Sequence, residues 1–288
     1  MKQKTLVVYD YAKSWFFEYF DENELVENLS NDSMTQWKNL LLKELATASV
    51  ATVIKQTKTC FLWAVKQDLI PKSPLEGIAP GNFRNKSKDR LISMKEYYRL
   101  LDACPCQDWR VIIALARIGG LRCPSEVITL RWSDVKWEKN CFHVRSPKTE
   151  HHEGKESRVV PLFPELKSEL ETLFFVPESQ GKEFVITRYR DVDQGLAAPF
   201  ATITKRAGLS EIPSPFINMR RTRSNEVRKR WGAALESEWI GHSEQTANDH
   251  YLVIEDSEYA EASQWNVSES IGNSMDSRKT KRTPKKRV

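Results

Sequence analysis

At 288 residues the chain is long enough for two domains, and its 40% hydrophobic and 10% aromatic residues are ample for packed cores. A mean hydropathy of −0.55 and the lack of any apolar run near the roughly 18 residues a bilayer needs argue against a spanning helix. The opening MKQKTLVVYD carries too short an apolar stretch, and an acid too early, for a secretory signal, so a cytoplasmic location is expected. The net charge of +5 belongs to one end: residues 278–288 hold seven Lys/Arg and no acid, and without them 37 basic residues face 39 acidic ones. The body is therefore near neutral, and a polyanion-binding face must come from arrangement.

Residues 1–88 read as helical. Tyr11–Phe20, Met34–Leu45 and Ala51–Ile70 recur in apolar residues at three- and four-residue spacing, the pattern of one buried helix face. The last of these stops at Pro71, with Pro74 and Gly77 beyond it. Lys55, Lys58 and Lys66 lie between its apolar positions, either as a solvated face or as a row facing phosphates. From Ile78 to Arg90 the text mixes Pro, Gly, Asn and Ser with bases including Arg84 and Lys86 and shows no period, which marks a linker.

A second domain opens with Ser93 and Glu96 in capping-box spacing ahead of EYYRLLDAC. Trp109–Ile118 is apolar nearly all round and reads as a buried helix ending at Gly119-Gly120. Arg122 follows at once. A guanidinium leaving a buried helix end needs an anion, which is either Glu126 or a phosphate. PSEVITLRW then reads as a helix with Pro124 in its first turn. Cys141–Ser146 and Ser157–Leu162 read as strands joined by a polar turn carrying Lys148, and Phe184–Thr187 as a further short strand. Helical character returns at TRSNEVRKRW and LESEWIGH, with Arg220, Arg221, Arg223, Arg228 and Arg230 clustered near it. In IGHSEQTANDHY, Ser243 is a good N-cap, and about two turns of helix would carry Tyr251 to the rim of a cleft beside His242.

The five cysteines are odd in number and scattered. Cys104 and Cys106, with His143, His151 and His152, lack paired CxxC spacing, so they read as reduced thiols, and neither metal nor cofactor is expected.

In this order the segments resemble the catalytic domain of the tyrosine recombinases, the phage integrase family. ARIGGLRCPSEVITLRWSDV is similar to the family's first arginine motif and places it at Arg122. VRSPKTEHHEGKESRVVPL is similar to its lysine hairpin and gives Lys148. FINMRRTRSNEV is similar to its second arginine motif and gives Arg220, and IGHSEQTANDHY gives His242 and Tyr251. FLWAVKQDLIPKSPLEGI resembles the family's helical core-binding domain, so the resemblance spans roughly residues 5–262.

The resemblance implies a mainly α (α+β) protein: a core-binding domain over 1–88, a catalytic domain with a small antiparallel sheet over 89–262, and a basic tail over 263–288. It implies that Arg122 and Arg220 hold a scissile phosphate and that Tyr251 attacks it to form a 3′-phosphotyrosyl intermediate. Lys148 would protonate the leaving oxygen, and His242 would hydrogen-bond the phosphate. The implied partners are double-stranded DNA, three further copies in a homotetramer on two sites, and accessory DNA-bending proteins, in a nucleoid-associated setting. DNA contacts are expected from Lys55, Lys58, Arg84, Lys86, Arg221 and Arg223, and from the tail.

Two departures stand out. The second arginine motif is usually His-x-x-Arg, and here Ile217 takes the histidine position; Asn218 beside it can hydrogen-bond but is no base, which leaves His250, His242 or depression of the tyrosine's pKa by the nearby guanidiniums as substitutes. The acid usually three residues after the first arginine is Glu126, four after Arg122. A catalytically weak DNA-binding relative and a type IB topoisomerase are the competing readings.

Overall fold

The computed structural model describes residues 3–81, 86–146, 156–190 and 195–251, except for the side chains of residues 4, 86, 249 and 250. It divides into two compact units, Met1–Lys86 and Ser87–Val288.

Unit 1 consists of α1 (Gln3–Phe17), α2 (Asn31–Glu44) and α3 (Thr47–Lys66). Ser30 caps α2 by accepting the Ser33 N–H, satisfying one of the donors that a helix start leaves open. The apolar stripes meet in one core of Met34, Trp37, Leu41, Val50, Val53 and Ile54, against which Trp15, Phe16 and Phe61 pack. Leu75 and Ile78 join it from beyond α3, and polar clasps hold that segment. Asn31 Nδ2 donates to the Glu76 carbonyl at 2.6 Å, Lys38 Nζ to Ala79 at 2.8 Å and Lys58 Nζ to Ile78 at 3.1 Å. The segment from Glu76 to Ala79 is thus bonded into unit 1, including Ile78 and Ala79, which the sequence reading assigns to the linker.

Unit 2 begins with α4 (Met94–Asp102), whose Ser93–Glu96 capping box is formed as expected. α5 (Gln107–Arg117) is almost wholly buried and lies at the centre of the larger core. The sheet is antiparallel in the order β1 (Val135–Lys136), β2 (Cys141–Arg145) and β3 (Ser157–Pro161), with Phe142 opposite Val160 and Val144 opposite Arg158. Then come α6 (Pro164–Phe174), α7 (Ala197–Arg206), α8 (Pro215–Trp231), α9 (Ala233–Glu236) and a short α10 (Glu244–Thr246). π-helical turns over Ser237–Gly241 and Ala247–Tyr251 flank α10. Such turns interrupt the regular ladder and re-aim side chains. No described helix is long and apolar enough to cross a membrane.

The sequence reading needs three corrections. PSEVITLRW is not a helix: residues 123–129 form turns, with helical bonds from Glu126 N to Arg122 O and from Ile128 N to Pro124 O. Phe184–Thr187 is not a strand. Phe184 forms a single bridge to Arg131, and hydrogen bonds from Trp132 N to Glu183 O and Val185 N to Leu130 O flank it. β1, α6 and α7 have no counterpart among the elements expected from the sequence, because β1 has two residues and the two helices lie outside the motifs.

Candidate active site

The site is built around two buried glutamates. Glu126, 1% exposed, folds back to accept the Arg122 backbone N–H at 2.8 Å and Arg122 Nη1 at 2.5 Å. Arg158 grips the same carboxylate with both Nη atoms, at 2.9 and 2.7 Å. Arg220 Nη1 lies 3.7 Å from Glu126 Oε2. Burial alone would raise this carboxyl's pKa, but the hydrogen bonds from Arg158 and the charges of Arg158, Arg220 and Arg122 hold it down to about 2. Three guanidiniums around one carboxylate leave an excess of about two positive charges, suited to an anion of matching charge.

Backbone carbonyls fix the guanidiniums in place. Arg220 donates to the Gly120 carbonyl, and its Nη2 donates to Ile240 O at 2.6 Å. Arg122 Nη2 reaches Gly241 O at 2.8 Å, and Arg158 Nε reaches Trp239 O at 2.8 Å. Two glycines allow this approach. Gly120, at φ +66°, would place a Cβ 2.6 Å from Ile240 Cδ1, and Gly241, at φ +74°, would place one 2.7 Å from Arg158 Cδ. Arg220 is buried, and desolvation, followed by repulsion from Arg122 and Arg158, lowers its pKa to about 10. It remains a cation at neutral pH. Its Nε has no hydrogen-bond partner among the described residues.

The second glutamate, Glu236, is 2% exposed. It accepts from Ser224 Oγ, from Arg228 Nη1 at 3.2 Å, and pairs with His242 Nε2 at 2.8 Å. Burial raises its pKa, but the His242 and Ser224 hydrogen bonds and the charges of His242 and Arg228 bring it below the usual carboxylate range. The His242 side chain is 2% exposed, and burial, together with the charges of Arg220 and Arg122, outweighs the Glu236 contact and lowers its pKa. The ring is therefore neutral near pH 7. The Tyr251 ring lies 4.8 Å from the His242 ring at a 35° tilt, and Arg220 Cζ lies 5.8 Å from the Tyr251 ring centre. Asn225 Nδ2 donates to the Tyr251 carbonyl at 2.7 Å, tying the last π-helical turn to α8. Ser243 caps α10 as expected.

The structure thus brings together Arg122, Arg220, His242, Tyr251 and Glu126. Asn218 has other partners. Asn218 is fully buried and acts as a pin: Nδ2 donates to Lys88 O at 2.9 Å and to Pro213 O at 2.5 Å, while Oδ1 accepts from Arg90 N and Arg221 Nη1. Ile217, in the position where the resemblance expects histidine, is 54% exposed.

Arg221 and Arg223, expected at a DNA backbone, are turned inward instead. Arg221 pairs with Asp89 at 2.9 Å. Arg223 pairs with Glu226 at 3.1 Å and lies 3.9 Å over the Phe163 ring. Lys55 is exposed on α3, and Lys58 is bonded to Ile78 O. Arg84 and Lys148 fall outside the described residues, as do the side chains of Lys86 and His250.

Sequence reasoning missed Arg158 and Glu236. Arg158 shows only as a charge at an inward strand position, and Glu236 as an acid six residues before the histidine.

The family model described as the Phage integrase family matches residues 90–254. No curated protein matches the chain. A structure of a lambda integrase dimer bound to a COC′ core site is similar at 20% identity and TM-score 0.67, over 89% of this chain and 93% of that one. A lambda integrase tetramer bound to a Holliday junction matches at 20% identity and TM-score 0.66, over 88% and 75%. The Tn1549 transposon integrase in complex with circular intermediate DNA matches at 16% identity and TM-score 0.67, over 91% and 94%. At these identities the structural likeness is one of fold.

Proposed function

The chain belongs to the phage integrase family, and on that premise we propose that it is a site-specific DNA recombinase that cuts and rejoins strands through Tyr251. The observation that carries this reading is the meeting of Arg122, Arg220, His242 and Tyr251 around the Ile240–Gly241 turn. Arg122 and Arg220 hold the scissile phosphate by charge-assisted hydrogen bonds that strengthen as negative charge builds on its oxygens. Tyr251 oxygen bonds to phosphorus, the bond to the 5′-oxygen breaks, and Lys148, in the segment joining β2 to β3, supplies that oxygen's proton. The phosphotyrosine conserves the phosphodiester's bond energy, so a second strand's 5′-hydroxyl reverses the step.

Lambda integrase has been seen as a dimer on a core site and as a tetramer on a junction. By analogy the working unit here is a homotetramer on two duplexes, with accessory DNA-bending proteins as further partners. Unit 1 serves as a second DNA-binding domain, with exposed Lys55 among its contacts, and the tail over 263–288 adds salt-sensitive affinity.

The test is a nicked suicide substrate carrying the authentic site. A covalent adduct is expected with wild type and none with Tyr251→Phe; no adduct with wild type ends the catalytic reading. That outcome would favour a DNA-binding relative without cleavage, the reading to which the exposed Ile217 points.

A further inference from the structure

Attack by a phenol, whose ordinary pKa is about 10, needs a group to take its proton. The position that the family resemblance gives to histidine holds Ile217, an exposed hydrocarbon. Four observations place an acceptor elsewhere. The His242 ring lies against the nucleophile's ring, 4.8 Å between centres. Its Nε2 is 2.8 Å from Glu236 Oε1. Glu236 is itself fixed by Ser224 and Arg228, so it is ionised and can only accept; the imidazole proton therefore sits on Nε2. That leaves a lone pair on Nδ1, which is buried and has no partner among the described residues.

We propose that Glu236 and His242 form a proton-accepting dyad for Tyr251, with Glu236 as the positioning residue and His242 Nδ1 as the base. The proposal rests on the recombinase reading above. As the Tyr251 oxygen bonds to phosphorus, its O–H bond breaks and the proton moves to Nδ1. The P–O5′ bond breaks, and that oxygen takes its proton from a separate acid. In rejoining, the imidazolium returns the proton to the departing Tyr251 oxygen, so the cycle balances. A carboxylate that holds the far ring nitrogen fixes tautomer and orientation and stabilises the cation as it forms, the same logic as in the serine hydrolase triad.

Other charges around the ring sharpen its behaviour. Arg220 on α8 and Arg122 in the turn after α5 act on it, while Arg228 on α8 pairs with Glu236 and Arg158 on β3 bonds the Trp239 carbonyl. Burial, with the charges of Arg220 and Arg122, keeps His242 unprotonated before the reaction, and Glu236 opposes them enough for it to accept a proton during attack.

The experiment uses the full chain and the nicked suicide substrate, with single-turnover adduct formation followed against pH. Wild type should lose rate on the acid side as His242 protonates. Glu236→Gln should lower the plateau tenfold or more and move the acid limb to lower pH, because removing the carboxylate lowers the histidine pKa further. On a substrate with a bridging 5′-sulfur, whose thiolate leaves without a proton, the Glu236→Gln defect should persist in full. A defect that vanishes on that substrate would make His242 the acid and overturn the proposal. A wild-type rate and limb in Glu236→Gln would also overturn it, and would assign the proton to another group, His250 among them. If Glu236→Gln does not fold, His242→Ala supplies the same decision. Free imidazole should restore its cleavage in proportion to the neutral base, and a DNA-binding variant that imidazole fails to rescue sinks the idea. Wild type that forms no adduct refutes the recombinase reading and this inference together; wild type that does, beside an unaffected Glu236→Gln, refutes this inference alone.

Discussion

The two buried glutamates are both linked to the Trp239–His242 turn, Glu126 through Arg122 and Arg158 and Glu236 through His242, and their surroundings are opposite in kind. Glu126 is ringed by Arg122, Arg158 and Arg220, so its pocket keeps a net positive charge. Glu236 faces one arginine, one hydroxyl and a neutral imidazole, so its pocket is close to balanced. The same residue type thus sets up two kinds of chemistry. On the proposed mechanism, excess positive charge would hold an anion whose charge grows along the reaction, while a balanced pocket would let a ring gain and lose a proton at modest cost. The backbone between them is shared: Trp239, Ile240 and Gly241 carbonyls accept from Arg158, Arg220 and Arg122, and the next residue is His242.

Loss of charge on the Glu126 side should do the most damage to turnover. Arg220→Ala is expected to reduce single-turnover adduct formation by about 10²–10³-fold, the range for removing one preorganised donor. Arg220→Lys should recover little, because one ammonium cannot reach both the Gly120 and Ile240 carbonyls while facing a phosphate. Near-wild-type cleavage in Arg220→Lys would break the distinction drawn between the pockets.

Stability should be the next most sensitive property. Glu126→Ala leaves Arg158 and Arg220 buried without their carboxylate, and breaking such a network costs about 3–5 kcal/mol. Urea unfolding measures this, and a loss under about 1 kcal/mol would show that the guanidiniums find other partners. The same carboxyl gives a pH signature. Its folded pKa of about 2 lies below the ordinary carboxylate value of 4.5, so its contribution is present in full above about pH 5 and is lost as pH falls towards 2. Glu126→Gln should flatten that acid limb, whereas Glu236→Gln should alter it less.

The sequence showed the arginine side better than the imidazole side, and the reason is physical. Arg122 follows Gly119-Gly120, His242 follows Gly241 and Tyr251 stands nine residues on, features that leave traces in spacing, whereas Arg220, inside α8, was legible only through the resemblance of FINMRRTRSNEV to the family's second arginine motif. Arg158 has neither. In SRVVPL the alternation would normally bury an aliphatic residue, yet Val159 is 41% exposed while Arg158 points inward. Only the carboxylate waiting inside makes that orientation favourable, and nothing local reveals it. Glu236 is hidden similarly: it ends a four-residue helix, and its partners Ser224 and Arg228 come from the preceding one. The helices of unit 1 were legible because their stripes are local, whereas the turns over residues 123–129 had a helix-like composition and were misread. Arg221 pairs with Asp89, which lies far from the motif in sequence, whereas the partner of Arg223, Glu226, stands in the motif one helical turn on.

The shared turn gives a smaller effect that sharpens the comparison. Gly241→Ala forces a Cβ to within 2.7 Å of Arg158 Cδ at φ +74°, which should cost about 1–3 kcal/mol through strain and displacement of the guanidinium. Because Gly241 also joins the two pockets, the variant should slow cleavage more than its stability loss alone explains. The least effect is expected where the sequence suggested DNA contacts. Arg221→Ala should destabilise the fold through its ion pair with Asp89, yet leave the dependence of DNA affinity on salt unchanged, since each lost phosphate contact would lower that slope by about 1. A Lys55→Ala variant, altering an exposed base on α3, is the matched control, expected to reduce the slope without changing the melting temperature. If instead Arg221→Ala reduces the slope and Lys55→Ala does not, the inward-turned arginine reaches DNA in the complex, and the division between structural and DNA-facing bases has to be redrawn.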